Sequence, residues 1–98
     1  MLNITEKKCF EWIKKSFKLN DEDITRKSNR SPDFILKNGK SFECKKLYGK
    51  NTLVLRTKQY QLLKKVNSTI LIFNDFIDSP MFKIPIKQLK IGKNLKYL

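Results

Sequence analysis

The 98-residue chain contains no histidine, only two cysteines, and no apolar run that approaches the length of a membrane span. Without histidine, Cys9 and Cys44 cannot be completed into a zinc site, and two cysteines are too few for a disulfide scaffold. Both are expected to be core fillers in a reducing compartment. No apolar stretch lies behind residues 1–8, so no secretory signal is expected and the chain reads as soluble and cytoplasmic. It has no internal repeat and no low-complexity linker. Residues 1–98 are therefore expected to form one domain, with a core over 1–74 and a C-terminal strand and basic tail over 75–98.

Acidic residues are also scarce, with 9 Asp and Glu against 22 Lys and Arg for a net charge of +13. Such an excess repels itself unless a polyanion offsets it, which makes nucleic acid the first partner to consider and an anionic membrane surface the second. A lysine-favouring composition on its own would give the same bias. Nineteen of the 22 are Lys, a point charge better suited to phosphate contacts than to reading bases. Seven Phe, three Tyr and one Trp supply bulk for a core, so the charge does not imply disorder.

The spacing of Cys9, Phe10, Ile13 and Phe17 predicts a helix over 5–17, with Glu6 near its apolar stripe and Glu11 among the lysines of the other face. A short strand over 24–27 and a loop over 28–32 follow. Residues 33–37 and 41–45 flank Asn38-Gly39 and read as a β-hairpin. Beyond a basic loop containing Gly49, Lys50 and Asn51, a second helix is expected over 57–66, with Thr57 as N-cap and Tyr60, Leu63 and Val66 as its stripe. The run 69–73 suits a central strand buried on both faces. A further strand over 81–84, stopped by Pro85, and a helical turn over 86–89 complete the described order. The class is α/β, in the order α-β-β-β-α-β with a short C-terminal addition.

The hairpin makes a geometric claim. A two-residue loop at Asn38-Gly39 would pair Phe34 with Glu43 and mix apolar with charged groups on both faces. A three-residue loop over 37–39, with Gly39 left-handed, pairs Leu36 with Lys40, Phe34 with Phe42 and Asp33 with Glu43. The second register separates the faces, and a one-residue slip would bury charge and expose Phe. It also sets two carboxylates opposite each other, an arrangement a cation would relieve. Lys45 lies on the same face, but two carboxylates with room for water suit Mg²⁺ or Mn²⁺. The lysine can then stabilise charge building on a phosphate or help activate water.

Pro32-Asp33, nine intervening residues, then Glu43-Cys44-Lys45 resembles the PD-(D/E)XK nuclease superfamily, which includes restriction enzymes, archaeal Holliday-junction resolvases and repair nucleases. The resemblance extends to about Phe73 and is closest in style to the small resolvase-like nucleases. It implies a restriction-endonuclease-like αβββαβ core with a mixed central sheet flanked by helices. It further implies metal binding by Asp33 and Glu43 and catalysis assisted by Lys45. Many members add a first-helix glutamate, a place that Glu6 matches; some carry a glutamine on the following helix, where Gln59 is nearer than Gln61. The implied activity is Mg²⁺-dependent DNA endonuclease action, expected on branched or otherwise distorted DNA; with one small domain and no evident specificity module, a homodimer is expected to engage two strands.

Plainer roles stand beside these. Glu6 also fits a capping box with Asn3, and Gln59 a polar first-turn position. Arg30 and Ser31, just before Asp33, are placed to touch the nucleic-acid backbone, as are Lys46, Lys50, Arg56 and Lys58. The motif itself could be the solvated side of an ordinary hairpin, and the whole chain a nucleic-acid-binding module without chemistry, a subunit of a larger complex, or a basic protein–protein adaptor.

Overall fold

The computed structural model describes residues 3–26, 31–47, 55–74 and 77–89. Arg30 and Lys50, the 27–30 end of the first loop, most of the basic loop and the tail over 90–98 lie outside the described residues.

The chain runs α1 (Ile4–Phe17), a 3₁₀ turn (Asp21–Asp23), β1 (Ile24–Arg26), β2 (Phe34–Leu36), β3 (Ser41–Lys46), α2 (Thr57–Lys65), β4 (Thr69–Phe73), β5 (Phe82–Pro85) and a second 3₁₀ turn (Ile86–Gln88). The expected order of elements holds over the described residues. The strands form one mixed sheet in the order β1-β2-β3-β4-β5, in which only β3 and β4 are parallel. That parallel pair is joined through α2, as a crossover connection requires. The class is mixed α/β, and the C-terminal strand is an integral edge of the sheet.

Two cores flank the sheet. On one face Cys9 and Ile13 of α1 pack on Ile24, Phe34, Leu36, Phe42, Cys44, Leu71 and Phe73. On the other, Tyr60 and Leu63 of α2 pack on Ile70, Ile72, Ile84, Ile86 and Leu89. Alternation along β3 and β4 sends successive side chains to opposite cores, which is why both strands are buried along most of their length. No described helix is long and apolar enough to cross a membrane.

Several local details follow from caps and turns. Asn3 caps α1 by accepting from the Glu6 N–H at 2.8 Å, and Glu6 accepts from the Asn3 N–H at 3.2 Å. Lys18 closes the helix in a left-handed conformation, φ 53°. In α2 the N-cap is Arg56, without a side-chain bond, where Thr57 was expected. Val66 is also misjudged as part of the buried stripe. The chain turns at left-handed Asn67 directly after it, leaving Val66 45% exposed. Pro85 ends β5 inside the strand instead of stopping it, because an edge strand can spare one N–H.

Cys9 and Cys44 are buried as expected, but they are bonded. A disulfide with a sequence separation of 35 joins α1 to β3, which corrects the expectation of two reduced core fillers.

Candidate functional site

The hairpin adopts the register that separates its faces. Phe34 pairs with Phe42 and Ile35 with Ser41, and the Leu36 N–H donates to Lys40 O at 2.8 Å. Gly39, at φ +90°, supplies the left-handed residue, and Asn38 Oδ1 accepts from the Lys40 N–H at 3.0 Å. Phe42 and Cys44 are thereby committed to the α1 core, and Ser41, Glu43 and Lys45 to the face under α2.

Gln59, in the first turn of α2, draws that face together. Its Nε2 donates to Glu43 Oε2 at 2.6 Å and to Ser31 Oγ at 2.8 Å, while its Oε1 accepts from Lys45 Nζ at 2.9 Å. Only this orientation of the amide puts a donor on the carboxylate and an acceptor on the ammonium. Lys45 Nζ lies 3.8 Å from the same Glu43 oxygen. Asp33 Oδ2 accepts from the backbone N–H of Cys44 at 2.8 Å, which fixes Asp33 beside β3 one residue past the end of the β2 ladder.

Glu43 is only 3% exposed, and its Oε1 has no hydrogen-bond partner among the described residues. Burial pushes the Glu43 carboxyl well above the usual range, the charge of Asp33 pushes it further, and Lys45 only partly opposes them. The Asp33 carboxyl is raised first by burial; the Cys44 N–H works against this and the charge of Glu6 adds to it. Two acids both raised by burial, Glu43 further by the charge of Asp33, with one buried oxygen that no described residue meets, make a site short of positive charge. Hard carboxylate oxygens of this kind fit Mg²⁺ or Mn²⁺.

Of the residues expected here, Asp33, Glu43, Lys45, Gln59 and Ser31 are brought together. Ser31 reaches Gln59, a role its place in a loop did not reveal. Glu6 is engaged in the capping box, and its charge still acts on Asp33; no group of three acid, cysteine or histidine residues able to hold a metal jointly is formed among the described residues. The expected three-carboxylate ligand set is thus reduced to the Asp33–Glu43 pair. Gln61 is exposed and shares none of these bonds; Arg56 and Lys58 are exposed at the start of α2, and Lys46 is half-buried at the end of β3.

Two features escaped the sequence. The Cys44 amide is a site donor, which only the folded hairpin discloses. Ser41 and Ser68 are buried with hydroxyls that find no partner among the described residues, and continuing the β3–β4 register by one residue sets them side by side under α2. For Ser41 the signal was present, since it alternates onto the same face as Glu43. Comparison with family models, with curated proteins and with solved structures finds no match to this chain.

Proposed function

We propose that the chain is a metal-dependent nuclease of the PD-(D/E)XK type with a restriction-endonuclease-like core, cutting DNA internally. The observation that carries this reading is the convergence of Asp33, Glu43, Lys45 and Gln59 around a buried Glu43 carboxylate, one oxygen of which has no well-formed hydrogen bond among the described residues. Asp33 and Glu43 would hold Mg²⁺ or Mn²⁺, which when bound supplies Lewis-acid polarisation of a phosphate and a water of lowered pKa. The rest belongs to the chain. Gln59 holds the Lys45 ammonium at a fixed place beside the carboxylates, from which it can donate to a non-bridging phosphate oxygen as charge builds there. The Cys44 N–H keeps Asp33 on the metal side of β3. Arg56, Lys58 and Lys46 would track the backbone, with Arg30 and Lys50 as further basic candidates in the sequence, and the +13 charge favours that contact over any sequence readout.

A single small domain engages two strands most simply as a homodimer, and a branched or distorted duplex is the substrate such a pair of sites fits best. The test is a screen of duplex, single-stranded, flap and four-way-junction DNA, together with RNA, in Mg²⁺ or Mn²⁺. Cleavage that needs the metal, and falls by at least roughly a hundredfold in Asp33→Asn and Glu43→Gln, is the expected result. Salt-sensitive binding with no cleavage would make the chain a silent binding module instead.

A further inference from the structure

We propose that the Cys9–Cys44 bond is a redox latch on the carboxylate pair: closed, it holds Asp33 beside Glu43 in the arrangement that takes a divalent cation, and opened by a dithiol it lets that affinity fall. The latch rests on the reading of Asp33 and Glu43 as metal ligands. Cys44 stands between Glu43 and Lys45 on β3, and its own N–H is the donor that fixes Asp33. Cys9 stands one helical turn after Glu6, the residue whose charge acts on Asp33 from α1. The bond therefore joins the helix that carries Glu6 to the strand residue that anchors Asp33, with their Cα atoms 6.4 Å apart. A disulfide placed only for stability could sit anywhere in this core; this one ends on the residue flanked by both catalytic side chains of β3.

The chemistry is thiol–disulfide exchange. One thiolate of a dithiol attacks a sulfur of the pair, forming a mixed disulfide and releasing the other cysteine, which takes a proton; the second thiol of the reductant then displaces the remaining cysteine. Two electrons and two protons pass to the protein, and the reductant leaves as its own disulfide. Oxidised glutathione runs the exchange in reverse. Cys9 is fully buried and Cys44 nearly so, so the reductant reaches them only when α1 lifts from the sheet. Reduction and loosening of that helix are thereby coupled. Positioning groups around metal ligands commonly change affinity by about 10- to 100-fold when lost.

The experiment compares the full chain oxidised with oxidised glutathione and reduced with dithiothreitol, the reagents then removed without air. Mn²⁺ affinity is read from the free-ion electron resonance signal, and exchange of the Cys44 amide by NMR. The expected result is a roughly tenfold weaker Mn²⁺ affinity on reduction, with faster exchange at Cys44. Cys9→Ala should match the reduced protein and ignore both reagents. Ile13→Ala, which loosens the same helix without breaking the bond, should keep the affinity of the oxidised form. Equal affinity and equal Cys44 exchange in the two redox forms overturn the latch, as does an Ile13→Ala loss equal to that of reduction, or two free thiols after treatment with oxidised glutathione. Absence of Mn²⁺ binding in both forms overturns the metal reading, and a redox response of the Cys44 amide then still registers the coupling of bond to site.

Discussion

The two faces of the sheet are built on opposite terms, although alternate residues of the same strands supply both. Under α1 the contacts are apolar and aromatic: Phe10 lies 5.6 Å from Phe34 and Phe17 5.6 Å from Phe42, ring centre to ring centre, and a covalent bond ties the layer shut. Under α2 an apolar core is interrupted by Ser41, Glu43 and Ser68, all buried and each with an oxygen that finds no partner among the described residues. Each such atom costs about 1–3 kcal/mol of desolvation. The α1 face is given wholly to the fold, whereas the α2 face sets an unfinished polar site beside its own apolar core of Tyr60, Leu63, Ile70, Ile72 and Ile84.

The difference can be broken from the apolar side with the largest effect. Phe34→Ala removes a fully buried ring from the α1 face and should cost about 3–5 kcal/mol, measured as a fall in the urea midpoint. That is enough to unfold much of a marginal domain. A loss below about 1 kcal/mol would mean that this face does not carry the stability assigned to it.

The polar face should show itself in pH dependence. Asp33 and Glu43 both have folded-state values above their unfolded ones, through burial and, for Glu43, the charge of Asp33, so the folded protein binds more protons than the unfolded chain. Their contribution is fully present below the ordinary carboxylate range and is lost as the pH climbs toward about 8. Metal-free protein should accordingly lose stability between pH 5 and pH 8, and Glu43→Gln should flatten that slope. The same slope in wild type and variant would take the site's strain away from this pair.

The smallest effect is expected at Ser41. Ser41→Ala deletes an unpaired buried hydroxyl and should leave stability unchanged or raise it by up to about 1 kcal/mol in the same urea measurement. A clear loss would show that the hydroxyl is satisfied in solution.

What the sequence disclosed and what it hid follow the range of the interactions. The hairpin register was legible because only one loop length keeps Phe34 with Phe42 and the charges together, and Gly39 supplies the residue that loop needs. The Asn3 cap was legible because its partner is three residues away. The Cys9–Cys44 bond was not, since a separation of 35 residues leaves no local trace and two cysteines scattered in apolar patterns look like filler. The bonds that Gln59 makes to three partners at once likewise exist only after α2 crosses the sheet. Glu6 matched two roles by position, and the capping box is the one that forms. Val66 failed because helical periodicity says nothing about where the helix stops.

The most direct measurement is an isothermal titration of the oxidised chain with Mn²⁺ at neutral pH, beside Glu43→Gln and Ser41→Ala. If the orphaned Glu43 oxygen marks a metal centre, wild type and Ser41→Ala bind one ion each and Glu43→Gln binds at least roughly tenfold more weakly. Equal binding by Glu43→Gln and wild type, or no binding by any of the three, would contradict it.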